Sequence, residues 1–195
     1  MTAEPFDQLL ARVRACRLCA AKMDHEPRPV LRGRPSARLL IAGQAPGMRV
    51  FETGIPFNDP SGDRLRQWLG IDRETFYDEG RIAILPMGFC YPGTDPRGGD
   101  RPPRPECAPA WRAGLIEGLP QIRLTLAIGA YAQAWHLGTR ARASLTETVG
   151  DFRAYLPEVF PLPHPSWRNN AWLSRNPWFS TDALPALRAA VAALL

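Results

Sequence analysis

Four cysteines and three loops hold the residue types in this chain that could do chemistry. The cysteines fall into two pairs, Cys16 with Cys19 in a CxxC spacing and Cys90 with Cys107 around a Pro-, Gly- and Arg-rich stretch. Thiolates grouped this way commonly hold a metal, and four of them close its coordination shell and leave no position for substrate. A 4Fe–4S cluster tolerates wide separations in sequence, whereas zinc ribbons usually repeat CxxC twice, which only the first pair here does. Free or disulfide-bonded thiols are the third reading, and a reducing compartment disfavours disulfides.

The first loop is Gly43-Gln44-Ala45-Pro46-Gly47, a tight turn whose backbone N–H groups can face a ligand. The second, Thr53 to Gly62, carries Phe57, Asn58 and Asp59 in succession: a ring, an amide and a carboxylate. Its plainer reading is turn chemistry, with Asp59 and Ser61 as helix caps and Phe57 in the core. The third is His164-Pro165-Ser166-Trp167-Arg168-Asn169, where proline fixes the direction of the histidine. His25 and His136 lack such a setting and are read as structural. No GxxxxGK[ST] phosphate loop is present.

Short apolar runs must position these loops. Arg38–Gly43, Arg81–Leu85, Arg123–Gly129 and Val159–Leu162 read as buried strands. Helical patterns follow them: Asp63–Leu69 with Ser61 as cap, Glu106–Leu119, Ala130–Leu137, and Asp182–Leu195 with Thr181 as cap. A further helix is expected over Pro5–Arg17. Strands alternating with helices imply an α/β fold: a three-layer α/β/α sandwich around a four-stranded, mostly parallel sheet. Ligands of such sheets bind beyond the carboxyl ends of the strands, where all three loops fall. Residues 1–195 read as a single domain without internal repeats, and Pro92–Pro105 reads as a surface loop.

Composition narrows the partners. Net charge is +5 with a pI of about 9.4, carried almost wholly by arginine, since Lys22 is the one lysine. A basic balance favours a polyanion, with nucleic acid first. The start of the chain lacks the pattern of a signal peptide, and no apolar run approaches the roughly 18–20 residues that span a bilayer. A cytoplasmic monomer without membrane association is expected.

Taken in order, Gly43-Gln-Ala-Pro-Gly, Thr53-Gly-Ile-Pro-Phe-Asn-Asp-Pro-Ser-Gly and His164-Pro-Ser resemble the first motif, the base-stacking extension and the second motif of the uracil-DNA glycosylase superfamily. The resemblance runs from Cys16 to about Asn169. With the cysteines it is nearest to the iron–sulfur members, families four and five. It implies a DNA repair glycosylase that flips uracil or a related deaminated base from DNA and hydrolyses its N-glycosidic bond. Asp59 and His164 would be catalytic, the first toward water and the sugar cation, the second toward the leaving base. Gly43, Gln44, Ala45, Pro46, Gly47, Phe57 and Asn58 would bind the base, with Phe57 stacking on it. Ser166, Trp167, Arg168 and Arg175 would meet DNA, and Arg97, Arg101 and Arg104 would form a basic rim. Cys16, Cys19, Cys90 and Cys107 would hold a structural 4Fe–4S cluster, with zinc as the alternative.

Two positions depart from that pattern. Gln44 stands where family four has an acidic residue, which moves the burden to Asp59. Leu85-Pro86-Met87-Gly88-Phe89 before Cys90 lacks the asparagine that reads uracil, which leaves the preferred base open. A non-turnover binder of abasic or uracil-containing DNA, possible as a covalent adduct, and a non-catalytic nucleic-acid-binding module are the alternatives.

Overall fold

A computed structural model describes residues 4–96 and 98–195. Four strands, β1 (Leu39–Ala42), β2 (Ile82–Ile84), β3 (Leu124–Ile128) and β4 (Val159–Leu162), form one sheet in the order β2-β1-β3-β4, every neighbouring pair parallel. The helices are α1 (Phe6–Arg14), α2 (Met48–Thr53), α3 (Pro60–Leu69), α4 (Arg73–Tyr77), α5 (Cys107–Glu117), α6 (Ala130–Leu137), α7 (Leu145–Gly150), α8 (Asn170–Arg175) and α9 (Leu184–Ala192).

Alternation along the strands builds the layers. Leu39 and Ile41, Ile82 and Ile84, Leu124, Leu126 and Ile128, and Phe160 and Leu162 point to one face. They pack there with Leu65, Trp68 and Leu69 of α3 and Leu187 and Val191 of α9. Leu40, Ala83 and Leu85 turn the other way, against Phe6, Leu10 and Val13 of α1 and Leu115 of α5. Ala42, Ala127 and Val159 pack with Ala132 and Leu137 of α6. With both faces covered, every strand residue is buried, which is why the strands read as continuous apolar runs. The expected α/β/α sandwich is the fold observed.

The boundaries differ in instructive places. α3 starts at Pro60, and its cap is Asp59, which accepts the Gly62 N–H at 2.9 Å, not Ser61. Proline at the first helical position needs no N–H partner, so the helix begins one turn earlier than the apolar pattern does. At the other end, α9 is entered through a π-turn over Phe179–Ala183, and Thr181 donates its hydroxyl to the Pro177 carbonyl instead of capping. That wide turn places Phe179 and Ala183 in the core, Phe179 edge-on to Trp68 at 4.9 Å. α2, α4, α7 and α8 have only five or six residues each, too few to show a helical period. Among the described residues no helix is long and apolar enough to cross a membrane.

Behind the end of β2 lies a fully buried arginine. Arg112 of α5 donates to the carbonyls of Leu85 at 2.7 Å and Pro86 at 3.0 Å, and to His136 Nε2 of α6 at 2.6 Å. The His136 Nε2 is therefore the bare nitrogen of a neutral ring. Burial, with the Arg112 charge adding to it, pushes the His136 ring down to about 3. Burial also lowers Arg112, to about 10, so it stays charged at neutral pH. The clamp fixes the carboxyl end of β2 and the residues that follow it.

A histidine whose folded value lies below its unfolded value of 6.5 stabilises the fold above that pH and loses the contribution on acidification toward about 3. Denaturant midpoints of the wild type are expected to fall between pH 6.5 and 4, with a slope of up to about 1.4 kcal/mol per pH unit from His136. His136→Gln should make that slope shallower. A wild-type midpoint that stays level over this range would contradict a neutral, half-buried ring.

Candidate active site

Beyond the carboxyl ends of the strands opens a cavity of about 330 Å³. It brings together the loops after β1, β2 and β4, the start of α3 and the segment before α5. Gly43, Gln44, Ala45, Pro46 and Gly47 all line it, together with Phe57, Asp59, Pro86, His164, Ser166, Trp167 and Arg168. The β1 loop is held by Met87 N–H on the Gly43 carbonyl at 2.8 Å and Gly88 N–H on the Gln44 carbonyl at 2.9 Å. Gln44 spends its amide N–H on the Arg101 carbonyl at 3.3 Å, which leaves its Oε1 for other partners.

Phe57 sits at φ +54°, the left-handed region that a bulky side chain rarely adopts. Such a conformation costs about 1–3 kcal/mol and persists only where its surroundings hold it. Here Arg66 donates to the Phe57 carbonyl at 3.4 Å, and the ring meets Phe76 edge-on at 6.0 Å. The same carbonyl presses on α3: a Cβ at Gly62 would lie 1.8 Å from it, so only glycine fits. The ring tip reaches Gly43, 3.4 Å from where a Cβ there would be. Asp59, two residues on, is oriented by its cap on Gly62.

His164 accepts the Ser166 N–H on Nδ1 at 3.2 Å, and its own carbonyl accepts Asn169 Nδ2 at 2.7 Å. Burial pulls its pKa below the ordinary value and the nearby Asp59 charge opposes this, so the ring is neutral. With Nδ1 bare, the proton is on Nε2, which bonds to no other described residue and is free to donate to a guest in the cavity.

Other expected site residues lie elsewhere. Asn58 accepts from Arg73 at 2.9 Å and lines a separate recess with Arg49, Asp63 and Arg73, outside the cavity. Arg175 is exposed on α8, bonded to the Ala171 carbonyl at 3.1 Å, and does not line the cavity. Trp167 is 70% exposed at the mouth, with the Arg168 guanidinium 5.8 Å from its ring centre.

Within Pro92–Pro105 the described residues form a small hairpin. Asp95 N–H bonds the Gly99 carbonyl, Arg101 N–H bonds the Gly93 carbonyl, and Thr94 bridges to Asp100. Its rim is less basic than expected. Arg101 pairs with Asp24 at 3.1 Å, Arg104 donates to the Lys22 carbonyl, and Arg97 lies outside the described residues. The hairpin delivers Asp100 to the cavity, with Oδ2 3.3 Å from where a Cβ on Gly47 would be. Sequence reasoning missed this residue. Its only signal was a carboxylate after Gly98-Gly99 in a loop otherwise noted for its arginines.

The cysteine expectation needs correcting. Cys16, Cys19, Cys90 and Cys107 do meet around one crevice, with Phe89 and Arg104, and all four are free thiols. That crevice holds about 20 Å³, room for one water-sized guest and not for an inorganic cubane. Two sulfurs take other partners: Trp111 Nε1 donates to Cys16 at 3.3 Å and the Phe89 N–H to Cys107 at 3.4 Å. Burial pushes the Cys90 thiol up to about 12 and the Cys107 thiol up to about 11, so neither is a thiolate. Among the described residues no group of three or more Cys, His, Asp or Glu is arranged to hold a metal ion. The residues do not fit a 4Fe–4S cluster or a zinc ion, and the iron–sulfur subtype, families four and five, falls with them.

The superfamily itself stands on firmer ground. The family model described as the uracil DNA glycosylase superfamily matches residues 31–188, most of the chain. The chain belongs to this superfamily. The matched range contains every residue of the chain that lines the cavity except Val30. Among solved structures, a putative uracil DNA glycosylase from Methanosarcina acetivorans is similar at 15% identity, over 83% of this chain and 98% of that one, with a TM-score of 0.49. The wild-type SMUG2 of Pedobacter heparinus is similar at 12% identity, over 79% of this chain and 76% of that one, with a TM-score of 0.41.

Gly62→Ala drives a Cβ into the Phe57 carbonyl, so this superfamily member must shift either α3 or the loop that carries Phe57. Thermal or denaturant unfolding should show a loss of about 1–3 kcal/mol, as for an overpacked site. Unchanged stability would mean that the Phe57 backbone is not held as described.

Proposed function

We propose that the chain acts as one domain that hydrolyses the N-glycosidic bond of uracil or a related deaminated base in DNA. The observation that carries this reading is the convergence, in one cavity of about 330 Å³, of an aromatic ring held in a strained backbone, a capped carboxylate and a neutral histidine with a free Nε2–H. The volume suits a small-molecule-sized guest such as a flipped nucleotide.

In this reading Phe57 stacks on the flipped base and Gly43 leaves room for the ring pair. The C1′–N bond breaks toward an oxocarbenium-like sugar and an anionic base. His164 Nε2–H donates to the base oxygen as its charge develops, and neutrality suits that task because the proton is held where it is needed. Asp59 bears on the sugar cation. Trp167 and Arg168 at the mouth meet the opened duplex, and the net charge of +5 favours the approach of a polyanion.

A second reading, a binder of abasic or uracil-containing DNA without turnover, is favoured by one observation. Where an amide would read the base, Pro86 lines the cavity and Met87 is buried away from it.

Oligonucleotides carrying uracil, hypoxanthine or xanthine, single- and double-stranded, followed by alkaline cleavage, separate these outcomes. Excision is expected for at least one base, with His164→Ala slower by about 10²–10³-fold and Asp59→Ala slower as well. A stable protein–DNA adduct without release of base supports the binder, and shifted but intact DNA supports a plain binding module. Binding should weaken with salt, and Arg168→Ala should reduce the slope of log K against log salt by about 1.

A further inference from the structure

Asp100 is the one cavity carboxylate that the superfamily motifs did not point to. It is exposed at the mouth, whereas Gly43, Ile84 and Pro86, which line the same cavity, are buried. Its neighbours fix its place. Oδ2 lies against Gly47, the turn below is held by the Asp95 to Gly99 backbone bond, and Gly99 lets the Arg168 guanidinium pass, since a Cβ there would lie 2.5 Å from Nη1. Asp59 at the start of α3 and Arg168 after β4 are the charged groups that act on it, while the adjacent Arg101 is committed to Asp24.

The two carboxylates differ in what is left of them. Asp59 Oδ1 is occupied by its helix cap. Asp100 has no side-chain hydrogen bond to another described residue, so its oxygens are available to water. A negative charge at the mouth of a cleft that admits a polyanion works against binding. It is useful there only if it acts on something positive, or on a proton, during the reaction.

We infer that Asp100 is the general base of the hydrolysis, holding the attacking water at the cavity mouth while Asp59 faces the sugar cation. This rests on the glycosylase reading above and assigns a role within it. The water oxygen bonds to C1′ and its proton passes to the Asp100 carboxylate. The C1′–N bond breaks, its electron pair leaves with the base, and the base oxygen is held by His164 Nε2–H. The environment of Asp100 agrees. Partial burial pushes its carboxyl above the ordinary value, the Arg168 charge pulls it down, and Asp59 pushes it up again. A base raised toward the working pH is a better proton acceptor than an ordinary carboxylate.

The test compares wild type, Asp100→Asn and Asp100→Ala in single-turnover excision and in equilibrium binding to the same oligonucleotide. Asp100→Asn should excise about 10²-fold slower or worse. It should also bind DNA as tightly as wild type or tighter, because a repelling charge is gone. The acid limb of the wild-type pH–rate profile, rising as the Asp100 carboxyl ionises, should disappear in Asp100→Asn. Formate should restore part of the rate to Asp100→Ala and none to Asp59→Ala. A wild type that excises while Asp100→Asn keeps its rate overturns this assignment and leaves the glycosylase reading standing. So does loss of rate and binding together without rescue, which marks a structural role. A wild type silent on every base overturns the glycosylase reading, and this inference with it.

Discussion

A parallel sheet buried on both faces constrains everything else in this molecule. Each strand spends all of its side chains on packing, β1 through Leu39 and Ile41 on one side and Leu40 on the other. No strand residue is left over for chemistry. Reactive groups must therefore sit where the backbone leaves the sheet, and parallel strands leave it in the same direction. Gly43, Pro86 and His164 follow β1, β2 and β4 and line one cavity for that reason. Arg112 makes the arrangement firm from behind by tying the Leu85 and Pro86 carbonyls to α5 and, through His136, to α6.

Strain and support are paired within the cavity. Phe57 adopts a backbone conformation that its side chain disfavours, and the cost is met by Gly62, Arg66 and Phe76 around it. One helix start thus does three things: it admits the Phe57 carbonyl, fixes the Asp59 carboxylate and anchors α3 in the core. The consequence is an aromatic ring whose position on the cavity wall is set by the fold itself.

Much of this was legible in the residues. Apolar runs of four or five residues marked the strands because burial on both faces removes polar alternation. The loops after them carried the motifs, and the cavity gathers nearly all of these residues. Asn58 escaped because Arg73 at the start of α4 takes its side-chain oxygen and holds it in a separate recess, a contact that spacing does not show. Asp100 escaped because a hairpin stabilised by backbone bonds has no periodic signature. The cysteines misled in a different way. Spacing reported that the four would meet, but it could not report the room between them, and a crevice of about 20 Å³ in which burial pushes the Cys90 and Cys107 thiols up is a packing contact, not a ligand set.

The distant segments that the cysteines seemed to join are in fact fastened by charge. Asp24 holds Arg101, the Lys22 carbonyl takes Arg104, and the Lys22 ammonium pairs with Glu106 at the entry to α5. Two of these ties grip the 92–105 segment that presents Asp100 and the third fixes the helix that follows it, yet they come from a stretch upstream of residue 31, where the superfamily match begins. The part of the chain shared with the superfamily is therefore not the whole of the working unit. A private buttress, outside the common core, sets the stance of one wall of the cavity, and a fragment cut at the family boundary would keep the motifs and lose the brace.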